Sequence, residues 1–282
     1  MYKLYFNFIH IGDQICTTAI PENIYHLTGN KCVISDKRIW AFDYNPYVVF
    51  MDEEESQHLP ELNLIPDTRI REQCQNYANN YNSHIINSQT EFMCFNLLYD
   101  TKQKTPFPAI PLKHPRLYIF ENEIIKPNRI IVHTTGSDRT RDNQPNIRTT
   151  LGEDDVRVMS DDVITSIKKN YQHYDIIQIG GKNDKPLGFG LNLCGQLNYW
   201  ETAKLIAGSA KFIGVNSGPM HIANCYPRVE KRIVLQEFPA STLIQYKPGD
   251  LRNWLFSWLD PSYTYFNKYE DDIGYTYSHT KI

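Results

Sequence analysis

Residues 211 to 225, KFIGVNSGPMHIANC, limit the possible folds more than any other stretch of the chain. An apolar run ends at Val215, then Asn216, Ser217 and Gly218 make a turn, and Pro219 opens a helix. Proline suits the first helical turn because the N–H it lacks has no partner there in any case. A strand that runs straight into a helix is the building unit of parallel α/β sheets. The turn also has a chemical consequence. The N–H groups of Gly218, Met220 and His221 are expected to point out of the helix start, and the Ser217 hydroxyl joins them to make an anion site. His221 adds a side-chain donor for a phosphate oxygen. The alternative for the same residues is structural: Ser217 caps the helix and His221 is an ordinary histidine of the core or surface.

The same alternation runs through the chain. Residues 2 to 9, YKLYFNFI, read as a strand covered on both sides. A turn at 10 to 13, HIGD, leads into a helix over 14 to 27, with Pro21 near a kink or close to the helix start. Apolar runs at 31 to 34 and 47 to 51 predict further strands, and residues 70 to 81 a polar helix. RLYIF at 116 to 120 reads as the last strand of this half, and ENEIIKPNR at 121 to 129 as a connection. RIIVHTTG at 129 to 136 restarts the pattern. A long polar loop at 137 to 154 and a helix at 156 to 170 follow, and then YDIIQIGG at 174 to 181, a strand ending in glycines. A helix at 199 to 208, a strand at 211 to 215, a helix at 219 to 224 and a strand at 231 to 235 come next. LRNWLFSWL at 251 to 259 has a helical apolar face, and the tail from Asp260 has no readable pattern. The 282 residues suffice for two compact units. The expectation is an α/β chain with two mostly parallel sheets, divided into 1–125 and 126–282. Ligands in such sheets sit beyond the C-terminal ends of the strands.

Composition excludes some functions. The formal net charge is −3, without the basic excess that gripping nucleic acid requires. Cys16, Cys32, Cys74, Cys94, Cys194 and Cys225 are scattered and form no C-x-x-C pair, which argues against a zinc knuckle or a redox pair. No apolar run approaches the roughly 20 residues of a membrane span. Peripheral membrane contact needs only a surface patch and stays open. The N-terminal segment reads as a core strand rather than a secretory signal. Together with the scattered thiols, this gives the expectation of a cytoplasmic protein.

Three further segments carry candidate chemistry. In Ile11-Gly12-Asp13 a carboxylate stands at a strand-to-helix junction. It can take a proton from a hydroxyl nucleophile, or it can cap the helix. In Gly180-Gly181-Lys182-Asn183-Asp184-Lys185, glycines allow close backbone approach, Asp184 suits ribose hydroxyls, and Lys182 or Lys185 suits phosphate. A solvated turn is the alternative. In HTTGSDRTR, His133 to Arg141, the threonine hydroxyls, Thr134 among them, Gly136, Arg139 and Arg141 suit an anionic ligand, unless the arginines simply face solvent. Other motifs are missing. There is no G-x-G-x-x-G and no P-loop, so dinucleotide binding has little support. There is no H-E-x-x-H, no Asp-x-Asp and no G-x-S-x-G. The run Asp52 to Glu55 reads as a solvated edge rather than a metal site.

Two stretches, IGDQICTTAIP at 11 to 21 and NLCGQLNYWETAKLIAGSAKFIGVNSGPMHIANC at 192 to 225, resemble the bacterial heptosyltransferase family, family 9 of the glycosyltransferases. The first is similar to the family's glycine-aspartate loop and the helix behind it. The second is similar to its glycine turn, helix, strand and phosphate loop ending in Gly-x-x-His. The resemblance implies a GT-B fold, two Rossmann-like domains facing each other across a cleft. It implies an inverting, metal-independent transferase without a cofactor. Such an enzyme moves a sugar, heptose among the candidates, from a nucleoside diphosphate sugar to a hydroxyl of a bacterial surface glycan such as lipopolysaccharide core. Asp13 then falls at the general-base position. The donor side takes Gly12, Thr134, Gly136, Arg141, Gly181, Asp184, Asn216, Ser217, Gly218, Pro219, Met220 and His221. The implied partners are a nucleotide sugar and a glycan or glycolipid acceptor, with peripheral contact at the cytoplasmic face of the inner membrane and no nucleic acid. The chain departs from the family at Asn216, where an acidic residue is usual. The expected basic residue has three candidates, Arg139, Arg141 and Arg148. The chain is also shorter than typical members, which implies a differently built acceptor pocket. A nucleotide-sugar epimerase or hydrolase, and a non-catalytic nucleotide-binding protein of the same fold, are the alternatives.

Overall fold

The computed structural model describes residues 1–6, 11–35, 39–64, 115–136, 158–215, 217–235 and 264–267. These fall into two compact units that divide between Ile119 and Phe120. The expected helices at 70–81 and 251–259 and the loop at 137–154 lie outside the described residues.

The first unit is built on a four-stranded parallel sheet. Its strands are β1 (Tyr2–Phe6), β2 (Cys32–Ser35), β3 (Val48–Met51) and β4 (Glu61–Leu64), in the order β3-β2-β1-β4. The two central strands are apolar because both faces are covered: Leu4, Cys32, Val33 and Ile34 are all buried. Lys3 is buried in β1 as well, and its ammonium bonds to Glu53, which also accepts from the Ser35 hydroxyl at 2.7 Å. Glu53 opens α3 (Glu53–Ser56), so part of the acidic run pairs inward.

The single helix expected over 14–27 is split. α1 covers Ile11–Cys16, a 3₁₀ turn covers Thr17–Ala19, and α2 covers Ile20–Thr28. Pro21 stands in the first turn of α2, where it has no N–H to give to the preceding turn. The Thr17 and Thr18 hydroxyls donate to the carbonyls of Gln14 and Ile15 at 2.6 and 2.7 Å across the break.

The strand expected at 116–120 is absent. Leu117 and Ile119 are buried, but the Arg116 N–H goes to the Thr18 hydroxyl at 3.1 Å, and Phe120 turns at φ 60°. An extended segment laid over a helix shows the same every-other-residue burial as a strand.

The second unit holds a six-stranded parallel sheet. β5 (Lys126–His133), β6 (Asp175–Ile179), β7 (Leu191–Asn192), β8 (Ser209–Val215), β9 (Glu230–Leu235) and β10 (Thr264–Asn267) lie in the order β10-β9-β8-β5-β6-β7. β5 starts earlier than expected. It takes in Pro127, and its register with β8 shifts between Lys126 and Ile130. Proline cannot donate to a ladder, so the pairing slips there.

Among the described residues, the helices of this unit are α4 (Asp161–Asn170), α5 (Tyr199–Ala207) and α6 (Gly218–Asn224). α4 begins at Asp161 rather than 156, because Ser160 caps it by accepting from the Val163 N–H. α5 begins with a capping box formed by Asn198 and Glu201. The core around Ile130, Val132, Ile167, Ile213 and Val215 packs α4 on the sheet.

The chain order along this sheet reverses between β5 and β8. That is the doubly wound arrangement, with its topological switch point between those two strands. Ligands of such sheets bind beyond the strand ends at the switch point. In the first unit the corresponding switch falls between β1 and β4.

Candidate functional site

Three segments meet at the β5–β8 end of the second unit. β5 ends at His133, the turn after β6 carries Gly180 to Asp184, and Ser217 stands between β8 and α6. His133 joins them. Its Nδ1 lies 2.9 Å from the Ser217 Oγ, and its Nε2 lies 3.3 Å from the Asp184 Oδ2. The His133 and Asp184 side chains are 5% and 6% exposed, so both charges and dipoles act in a largely dry setting. Asp184 is fixed from a second side, where its Oδ2 accepts the Gly181 N–H at 3.0 Å.

Ser217 occupies the N-cap position of α6, but its side chain makes no capping bond. Its hydroxyl is shared between the His133 ring and the Val215 carbonyl, the latter at 3.0 Å. The capping alternative for Ser217 therefore does not describe this residue. Gly218 and Pro219 open the helix, and the Met220 side chain is buried. One expectation is corrected. The His221 N–H is not free, because it closes the first helical bond to the Ser217 carbonyl at 3.3 Å. The His221 side chain is buried and has interactions of its own.

The other named residues are placed as follows. Thr134 is fully buried, and its hydroxyl donates to the Lys185 carbonyl at 2.6 Å and accepts from the Gln178 amide at 3.1 Å. Gln178 also holds the Lys185 carbonyl and the Leu187 N–H, and so fastens the turn after β6 to the end of β5. The Lys185 ammonium sits on the Met159 carbonyl and on Asp161, each at 2.9 Å. Lys182 is exposed and Gly136 half-buried. Gly12 and Asp13 lie in the first turn of α1, in the first unit. Arg139, Arg141, Arg148 and Asn216 lie outside the described residues. Among the described residues, no group of three His, Cys, Asp or Glu side chains gathers.

Cys194 follows β7 close to this site. Burial, with the Asp184 carboxylate second, pushes its thiol up to about 11. It is therefore a protonated, slow nucleophile at neutral pH. Residue-resolved iodoacetamide labelling at pH 8 is expected to be slower at Cys194 than at a free thiol. Asp184→Asn should speed it, and an unchanged rate would remove Asp184 as a contributor.

Sequence reading gave His133 no role of its own, and it overlooked Gln178. The available signal was a histidine placed last in a strand, at the start of a threonine-rich turn.

The sequence model of glycosyltransferase family 9 (heptosyltransferase) matches residues 179–229. That span includes both Gly180–Asp184 and Ser217–His221. Among curated proteins, none matches the chain in sequence. Solved structures do match. A family 9 glycosyl transferase from Veillonella parvula superposes with a TM-score of 0.56 at 12% identity, covering 94% of this chain and 85% of that one. The heptosyltransferase WaaC of E. coli, solved with ADP, gives 0.52 at 10% identity, covering 95% and 93%. TibC, an iron-containing dodecameric glycosyltransferase of enterotoxigenic E. coli, gives 0.51 at 15% identity. That match covers 83% of this chain but only 57% of TibC. At these identities the likeness is one of fold, the GT-B type with a Rossmann-like sheet in each unit. The family segment is the part of the sequence that forms the β6 turn, α5, β8 and α6.

Proposed function

We propose that this chain, a heptosyltransferase-like glycosyltransferase of family 9, moves a sugar from a nucleoside diphosphate to an acceptor hydroxyl, inverting the anomeric centre and using no metal. The observation that carries the reading is convergence. The two loops inside the family-matched segment, Gly180–Asp184 and Ser217–His221, come together at the β5–β8 switch point, where doubly wound sheets hold nucleotides.

In the reaction the acceptor oxygen attacks the anomeric carbon. Its bond to that carbon forms as the bond to the diphosphate oxygen breaks, and the diphosphate leaves with the electron pair. The acceptor proton goes to Asp13, a residue of the first turn of α1. The leaving diphosphate needs positive partial charge. The amides of Gly218 and Met220 and the Ser217 hydroxyl are the groups suited to supply it without a metal. The family usually has an acidic residue where this chain has Asn216, so the sugar is the feature most open to difference from other members. Among the described residues no helix is long and apolar enough to cross a membrane. A glycolipid acceptor, such as lipopolysaccharide core, would be met by peripheral contact at the cytoplasmic face.

ADP is the first nucleotide to try, because the E. coli heptosyltransferase was solved with it. The test is release of nucleoside diphosphate from ADP-, GDP- and UDP-sugars, with and without glycan acceptors, in EDTA. Transfer predicts release that requires an acceptor and persists in EDTA. Acceptor-free conversion would point to the epimerase or hydrolase alternative. Nucleotide binding without turnover would point to a binding protein. Loss of activity in EDTA, restored by a divalent ion, would contradict the metal-free mechanism.

A further inference from the structure

We propose that His133, held by Asp184, controls the Ser217 hydroxyl, so that binding of a diphosphate takes up one proton at the His133 Nδ1. This rests on the reading of the Ser217 loop as the diphosphate site. It makes His133 a positioning residue, since the ring acts on the ligand through the hydroxyl.

The argument follows from counting donors and acceptors. A carboxylate oxygen only accepts, so the Nε2 that faces Asp184 at 3.3 Å carries a proton. In the neutral ring Nδ1 is then a bare acceptor. The Ser217 hydroxyl has one proton and already two acceptors within reach, Nδ1 at 2.9 Å and the Val215 carbonyl at 3.0 Å. In this state it has nothing to donate to an anion. Turning its proton toward a phosphate oxygen leaves lone pairs on Oγ and Nδ1 facing each other at 2.9 Å. A proton on Nδ1 removes that conflict and turns Nδ1 into a donor to Oγ. The resulting imidazolium has its counter-charge in place, because Asp184 is buried beside it and held by the Gly181 N–H. Buried hydrogen-bonded pairs of this kind are maintained only when every member is satisfied.

Among the described residues, few charged groups face the ring. From the turn after β6, Asp184 meets the ring. Of the lysines there, Lys182 is exposed, while the Lys185 ammonium bonds to the Met159 carbonyl and Asp161. From the start of α6 come Ser217 and, within the first turn, the titratable His221. The backbone at Gly180 lies against the ring edge and that at Gly214 against the His133 Cβ, and neither residue is charged.

Calorimetric titration with ADP, in two buffers of different ionisation enthalpy, counts protons taken up on binding. GDP, UDP, CDP and pyrophosphate serve as parallel probes. The intact protein should take up a proton, and its affinity should fall as pH rises. Ser217→Ala should weaken binding about tenfold, the effect of one hydrogen bond to a charged group, and should abolish the uptake. His133→Asn places an amide that donates without titrating near the Nδ1 position. It should bind close to wild type, with no uptake and no pH dependence. His133→Gln places its amide toward Asp184 instead and should lose about as much affinity as Ser217→Ala. Combining it with Ser217→Ala should cost nothing further. Circular dichroism confirms that each variant is folded, and the Ser217→Ala result leaves the ring untouched. Binding without proton uptake, or additive losses in the double variant, would overturn the proposal while leaving the site in place. Failure of all five probes to bind would overturn the site and the proposal together.

Discussion

Asp13→Asn should lower turnover by about 100-fold or more while leaving ADP affinity unchanged. The asparagine keeps the size and shape of the carboxylate but cannot take the acceptor proton. Asp13 belongs to the first unit, in the first turn of α1, whereas the loops proposed for the diphosphate, Gly180–Asp184 and Ser217–His221, belong to the second. Removing the proposed base should therefore change kcat and not donor binding, the pattern of an interaction made only in the transition state. Steady-state kinetics with ADP titration on the same preparation separates the two. An unchanged kcat would take Asp13 out of the chemistry. A loss confined to ADP affinity would move it to donor binding.

The second large effect is expected at Gly180. Its φ of 140° lies in the region that side chains rarely adopt. A Cβ there would collide with the Asp184 Oδ2 and come within 3.0 Å of the His133 Cδ2. Gly180→Ala thus strains the backbone and separates the carboxylate from the ring that it holds. The expected loss is about 2 kcal/mol of stability, together with about a tenfold loss of nucleotide affinity. Gly188→Ala is the control. Gly188 has a positive φ of 76° with nothing within 4 Å of an added Cβ. It should lose only backbone energy, about 1 kcal/mol, and bind nucleotide normally. Thermal melts with and without ADP measure both. Equal effects at the two glycines would show that the collision with Asp184 and His133 is immaterial.

Much of the second unit was legible in the sequence because its elements are contiguous. KFIGV, the Asn-Ser-Gly turn and the helix after Pro219 follow one another directly, and the structure has them as β8 and α6 with small shifts of the ends. The first unit was harder. RLYIF at 116–120 alternates as a strand does, yet its Arg116 N–H goes to the Thr18 hydroxyl and its Phe120 carbonyl accepts the Glu123 N–H of a turn. β7 is only two residues long, and β10 sits in a tyrosine-rich tail. Both owe their existence to ladders with β6 and β9. Local pattern carries no information about such pairings. The site shows the same limit. Ser217 was found from its own turn, but its partner His133 is 84 residues away. Only the reversal of strand order between β5 and β8 brings the two together. Sequence alone therefore assigned Ser217 a choice between cap and ligand, and it took the sheet to show that its hydroxyl is engaged by a histidine.

Amide hydrogen exchange in the presence of ADP, GDP, UDP and CDP tests the central claim most directly. At least one of them should slow exchange in 133–136, 180–185 and 217–221 together, with β1 to β3 of the first unit little changed. Protection that appears elsewhere and spares those three segments would contradict a nucleotide site at the β5–β8 switch point.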